Sequence, residues 1–374
     1  MKDKEKTFRQ RVTEGWQSFL AGESGLRKLM DENPGSEQIV AKCSELLAPV
    51  FSDIAFELGY KGEKYELILT PEGDRARLFP LVYFQRHAPG KVLEHWNILV
   101  GRQPADRGSY CLRMFGQDID TKEVQVWTDW QEDKTVALSL YCEKLVPLLR
   151  ENESNAYWMM YVLLDQAVGE IPSMKYVRDL KLLERPGEGE SQPLLRLFTD
   201  FQKKWNLDKE EMLDASQYCN CYTAYQIEPD PDANDGLRGD VFAGVTTCLP
   251  LINAYLSNRT DCIEHFHKDG IEAGYFYYPL DGFTGENRSA KILDFRDEIE
   301  TAIEEQAGTD AVTFTGGASG IYCGYLDFIA WDMEAVFKAA EDVFHKSDLM
   351  WAGFHSFRRD ANSIILKDEE MDGK

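Results

Sequence analysis

The sequence has no long hydrophobic run. Its most apolar stretch, Tyr157 to Leu164 (YWMMYVLL), spans eight residues, against the roughly 20 that a membrane-crossing helix requires. No membrane role is therefore expected. The first residues, MKDKEKTFRQRV, lack the apolar centre of a signal peptide, which predicts a cytoplasmic protein. Basic charge is scarce: 41 Lys and Arg stand against 65 Asp and Glu, a formal net charge of -24. Such a field repels phosphate backbones, so no nucleic acid is expected as a ligand. The same field would steer a basic protein toward the surface.

Cysteines in a metal or disulfide pattern are missing as well. Cys43, Cys111, Cys142, Cys219, Cys221, Cys248, Cys262 and Cys323 are scattered, mostly in apolar runs, where free buried thiols are the expectation. Cys262, Glu264, His265 and His267 carry ligand atoms, but His265 and His267 would point to opposite sides of a helix, and neither CxxC nor HExxH occurs. Asp230, Asp232, Asn234 and Asp235 resemble part of a calcium loop; the places that need Gly and Glu hold Asp235 and Val241, so a solvated turn is expected. Gly316 to Gly320 (GGASG) lacks the Gly-Lys-Ser/Thr ending of a phosphate loop and precedes a strand pattern, which makes it a flexible connection. There is no Gly-x-Ser-x-Gly elbow. Neither a metal nor a cofactor is implied.

What is present is the composition of a folded protein, 43% hydrophobic and 12% aromatic, in a chain long enough for two cores. The segment ERPGEGESQP (184–193) interrupts the hydrophobic pattern, dividing the chain into a domain over 1–184, a linker at 185–193 and a domain over 194–374. A helical hairpin over 8–50 opens the first, followed by a hairpin of strands near 54–69. The C-terminal part reads β-α-β-β-α-β: strand 275–278, helix 292–303, strands 311–314 and 321–331, a helix capped by Asp332, and strand 350–357. This predicts an α+β fold with a ferredoxin-like split β-α-β core over 274–358, its antiparallel sheet carrying helices on one face. The first domain admits the same order, raising a tandem duplication.

Asp327 interrupts an apolar strand, YLDFIAW, where a carboxylate needs a partner. In such a sheet the first strand lies between the third and the fourth. Tyr275 and Tyr277 from the first and His355, Arg358 and Arg359 from the last would then converge with Asp327 on the face the helices leave uncovered. These residues form the candidate binding face, with Asp327 and His355 as acid–base candidates. Trp127 and Trp130, in QVWTDWQED, are candidates for a protein interface. At the level of fold alone, paired ferredoxin-like units without a cofactor motif resemble small bacterial regulatory, inhibitor and toxin-immunity proteins. The expectation is a non-enzymatic binding protein acting on a basic protein partner, its oligomeric state left open. The alternative is a hydrolase or transferase with a small molecule in an interdomain groove.

Overall fold

The computed structural model describes residues 6–105 and 108–368. It is a mixed α+β structure with several sheets, and it divides into two compact units. Unit 1 takes the residues up to Asp53 together with those from Asn220 onward; unit 2 is Ile54–Cys219. The stretch 185–193 lies inside unit 2. Its end, Gln192–Pro193, pairs with Gln125 and Val126. A charged, Gly- and Pro-rich sequence is what any exposed loop needs, so composition marked a loop where compactness marks no boundary.

Unit 2 contains two hairpin-and-crossover modules. In the first, β1 (Ala55–Lys61) and β2 (Lys64–Thr70) form an antiparallel hairpin whose turn uses Gly62 at φ +66°. The helix Arg75–Arg86 then carries the chain to β3 (Trp96–Val100), which pairs parallel with β2. A separate small hairpin, β4 (Cys111–Met114) and β5 (Gln117–Asp120), follows. In the second module β6 (Gln125–Trp130) and β7 (Val136–Tyr141) are antiparallel. The helices Glu153–Val168 and Glu170–Tyr176 lead to β8 (Val177–Leu182), parallel to β7. β9 (Gln192–Pro193) completes the order β8-β7-β6-β9.

The duplicated arrangement suggested for this half is therefore corrected: its strands lie in separate sheets with parallel pairs. The last strand of this half starts only at Val177, since the chain is helical up to Tyr176. Element order constrains connections, but which strands share hydrogen bonds is a non-local decision.

Unit 1 is built on seven strands: β10 (Thr223–Gln226), β11 (Val241–Thr246), β12 (Glu272–Pro279), β13 (Val312–Gly320), β14 (Cys323–Ala330), β15 (Trp351–Ser356) and β16 (Ile364–Asp368). They lie in the order β10-β11-β13-β14-β12-β15-β16, every neighbour antiparallel. β12 does lie between β14 and β15. The helices Arg288–Ala307 and Met333–Lys346 bury Ile292, Ile299, Ile303, Val336, Ala340 and Phe344 in one core with Phe276, Leu326 and Phe328 of the sheet. The second helix starts at Asp332, whose carboxylate accepts from Ala335 N–H. The N-terminal hairpin, helices Phe8–Glu32 and Ser36–Leu47, belongs to this unit. Thr7 and Gln10 close a capping box at its start, and Arg9 N–H donates to Trp331 O at 2.9 Å.

The Gly-rich segment expected as a loop is the second half of β13. Each glycine admits a close neighbour. Gly316, at φ +137°, lets the β11 backbone approach so that a Cβ would stand 2.1 Å from Val245 O, and at Gly320 a Cβ would fall 2.1 Å from the Asp240 carboxylate. No helix among the described residues is long and apolar enough to cross a membrane.

Candidate functional site

The sheet face proposed from the sequence sets Tyr275 opposite both Asp327 and His355, but it encloses them, and it does not bring in Arg358 and Arg359. Asp327, His355, Tyr275 and Tyr325 are completely buried. The cover is the segment between β10 and β12 of the same unit, which brings down Arg238 and Tyr255. Arg238, itself 2% exposed and in the left-handed region at φ +68°, donates through both terminal nitrogens to the two Asp327 oxygens and at 2.6 Å to Tyr225 OH. Its guanidinium also lies 5.0 Å from the Tyr275 ring centre, 5.1 Å from that of Tyr325 and 5.5 Å from that of Phe357. Burial is the largest single influence on the Arg238 pKa and lowers it, but the Asp327 carboxylate and the Tyr225 and Tyr275 hydroxyls together raise it above the ordinary value. Burial is also the main cause that pushes the Tyr225 hydroxyl up to about 12.

Nothing in this box is free to meet a substrate. His355 stacks on Tyr275 with ring centres 5.5 Å apart, and both its ring nitrogens face carbonyl oxygens, Ser356 O at 2.5 Å and Ala361 O at 3.1 Å. Asp240 accepts from Tyr325 OH at 2.5 Å and from the Tyr322 and Cys323 N–H groups. Tyr277 lies against Gly236 and Gly353, at either of which a Cβ would collide with its ring. The open carboxylate and histidine expected from alternation are thus corrected to a closed polar core. Alternation assigns a face of the strand and cannot tell whether later chain covers it. Of the two cations, Arg358 is held by Asp360 at 2.9 Å and Arg359 is exposed. Trp130 is packed edge-on against Phe201 and Trp205, and Trp127 is partly covered by the loop at Gly187 and Gly189. Both are half-buried packing residues rather than exposed anchors.

A cleft in unit 2 offers accessible chemistry. It encloses about 580 Å³ and is lined chiefly by the helix Glu153–Val168, the start of β8 and the turn at Glu72–Gly73, with Arg102 at its floor. The sequence builds it locally. Gly169, at φ +88°, ends the helix by donating its N–H to Asp165 O at 2.8 Å, and the next helix starts at once with Glu170. A Cβ at Gly169 would fall 2.8 Å from Leu213, so glycine is needed there for space as well as for φ. The break sets Asp165, in the last turn of one helix, beside Glu170, in the first turn of the next.

Arg102 joins them. Its Nη1 is 3.7 Å from Asp165 and 3.8 Å from Glu170, while Nε donates to Glu57 at 2.8 Å. Glu170 is fully buried and accepts from the Gly73 and Arg102 N–H groups at 3.1 and 3.0 Å. Burial raises the pKa of both acids. It pushes Asp165 up to about 7, with the Glu170 charge adding and Ser173 and Arg102 opposing. Asp165 retains a small exposed area and faces the cleft; Glu170 holds the scaffold behind it.

Above this floor the helix presents Trp158, 57% exposed, and Tyr161, 45% exposed. They lie seven and four residues before Asp165, so all three share one side of the helix. Phe115 braces the Trp158 ring with centres 5.5 Å apart, and Tyr157 OH accepts from Leu182 N–H at 3.3 Å.

Sequence reasoning passed over this site. The signal for Asp165 was present, since it is the sole charged residue between Glu153 and Glu170 in an otherwise apolar and uncharged stretch. Arg102 and Glu57 carry no local signal, because each looks like an ordinary surface charge at the end or middle of a strand. Comparison of the chain with protein-family profiles, curated proteins and solved structures finds no match.

Proposed function

We propose that unit 2 is a small-molecule-binding module whose ligand occupies the cleft over Asp165 and Arg102. One coincidence carries this reading: exposed aromatic rings, one side of an open cleft and a desolvated carboxyl with a perturbed pKa meet at one place. The volume falls in the range of about 300–1,000 Å³ of ordinary ligand pockets, and a perturbed acid in a concave site is a mark of functional chemistry. Asp165, titrating near neutrality, also has the property required of a general acid or base, so a hydrolase or transferase reaction would be run here and not at Asp327 and His355. Nucleic acid remains a poor candidate for the ligand, given the charge of -24.

A second reading, an acidic partner of a basic protein, draws support from that same charge, most of which belongs to unit 1. For unit 1 we further propose a ferredoxin-like core over Glu272–Ser356, supported by the order β13-β14-β12-β15 with two helices on one face. The test of the ligand reading is saturation-transfer NMR of a small polar fragment library on the full chain beside Trp158→Ala. Fragments that bind the wild type and are lost from the variant support it. A library in which no fragment distinguishes the two proteins overturns it.

A further inference from the structure

We propose that the ligand of the unit 2 cleft is an organic cation, an alkylammonium or guanidinium group, taken up against the Trp158 and Tyr161 rings with Asp165 as its counter-ion. The inference rests on the reading of the cleft as a ligand site and adds the chemistry of what it takes.

Charge is the first argument. Among the described residues, Arg102 is shared by three carboxylates, Glu57, Asp165 and Glu170. Its charge is therefore spent within the protein, and the floor is not a receptor for a second anion. At the rim Arg178, the other cation among the described lining residues, lies 3.8 Å from Asp179. Full ionisation would put the floor well below neutrality in a partly desolvated place, where uncompensated charge is costly. The protein relieves part of this by holding Asp165 up to about 7, so that a share of it stays protonated near neutrality. A bound cation would do the same and displace the proton.

The aromatic side is the second argument. A cation is attracted to the face of Trp or Tyr by the ring quadrupole, most strongly where water is excluded. Trp158 and Tyr161 stand on the same side of one helix as the carboxyl, and Trp158 is held by Phe115, so the rings and the counter-ion are preorganised on one rigid element. An anion would meet ring faces of the wrong sign. A neutral sugar would gain the stacking but leave the carboxylates unanswered.

The groups around Asp165 define the expected pH dependence. Glu170 and Ser173 face it from the helix Glu170–Tyr176, Arg102 from the segment after β3, Glu57 from β1 and Tyr161 from its own helix. A cation requires the ionised form of Asp165, whose fraction rises with pH through its pKa, so affinity should rise by roughly tenfold between pH 6 and pH 8 and level off above.

The experiment is isothermal titration of the full chain with matched probes. Agmatine, cadaverine and choline are the cations; 3,3-dimethylbutan-1-ol, the neutral isostere of choline, and methyl glucoside are uncharged; inorganic phosphate is the anion. At least one cation is expected to bind about tenfold or more tighter than every uncharged probe. Its binding should weaken toward pH 6, and be lost in Trp158→Ala. Asp165→Asn should bind it more weakly at pH 8 and without pH dependence. A capped Gly-Arg-Gly peptide binding tighter than agmatine would assign the cation to a polypeptide side chain, and the reverse to a free amine.

Uncharged or phosphate probes that bind the cleft as well as the cations would overturn the cation assignment while sustaining the ligand site. So would cation affinity that ignores both pH and Asp165→Asn. If no probe of any charge distinguishes wild type from Trp158→Ala, the ligand-site reading itself fails.

Discussion

Two buried aspartates in this protein have opposite consequences. Asp327 is paired through both oxygens with an equally buried Arg238, which also meets Tyr225 and three aromatic rings. Such a pair contributes little net stability compared with apolar side chains of the same shape, yet breaking it leaves a bare charge in the core. Asp327→Ala should therefore destabilise unit 1 by about 3–5 kcal/mol, and Arg238→Met by a similar amount. The double variant Arg238→Met/Asp327→Leu should recover much of the loss, because no unpaired charge remains. Urea unfolding through the double-mutant cycle measures this coupling; additive losses would show that the two side chains act independently. Asp165, by contrast, keeps a small contact with solvent, and beside its hydrogen bond with Ser173 its cationic partner among the described residues is a distant, shared guanidinium. It is the acid whose protonation can respond to what enters the cleft.

Among the elements, β13 shows how a glycine-rich sequence can be structural. A strand interior ordinarily favours side chains that pack on the pleat. Here Gly316, Gly317 and Gly320 leave space for, respectively, the β11 backbone, the Tyr325 carbonyl of β14 with the Arg296 guanidinium beyond it, and the Asp240 carboxylate. Arg296 donates to Ala318 O at 2.8 Å, so the narrow strand meets a guanidinium at Gly317–Ala318 and a carboxylate at Gly320. Gly316→Ala should cost at least about 2 kcal/mol, from a left-handed φ combined with a Cβ driven into Val245 O. Hydrogen exchange should show the loss concentrated in Val241–Thr246. Unchanged protection of β11 would mean that the sheet adapts and that the glycine is not required there. The two-helix break at Gly169 is the corresponding device in unit 2, turning a sequence interval of five residues into the Asp165–Glu170 juxtaposition.

For the whole molecule, the continuous unit is the one that lies in the middle of the chain. The main cluster of unit 2, from Leu112 through Val126, Leu140, Met160 and Leu164 to Met212, draws on that one segment, whereas unit 1 needs both ends of the sequence. Within unit 1 the early helix is tied to the late sheet by Phe8 against Trp331, and Asp269 accepts from Ser52 N–H at 2.8 Å. A fragment of residues 54–219 is expected to fold alone with a cooperative urea transition, as a domain with its own core should. A featureless circular dichroism spectrum or a non-cooperative melt of that fragment would show that unit 2 depends on the rest of the chain.

Much of the C-terminal half was legible because it is local. The stripe Ile292, Ile299 and Ile303 has helical period, Asp332 sits where a cap belongs, and the apolar runs around Phe276 and Phe328 have strand length. These features are short-range consequences of backbone geometry, and they located the strands and helices between β12 and β15. The charge of -24 and the scattered cysteines are likewise properties of composition alone. Pairing was another matter. That β3 joins β2 in parallel, that 185–193 lies within a unit, and that Arg238 closes over Asp327 all depend on residues far apart in sequence. The cleft depends on them most: Arg102, Asp165 and Glu170 come together only when a strand end and two helix ends are packed side by side, and only that desolvated packing moves the Asp165 proton into the neutral range.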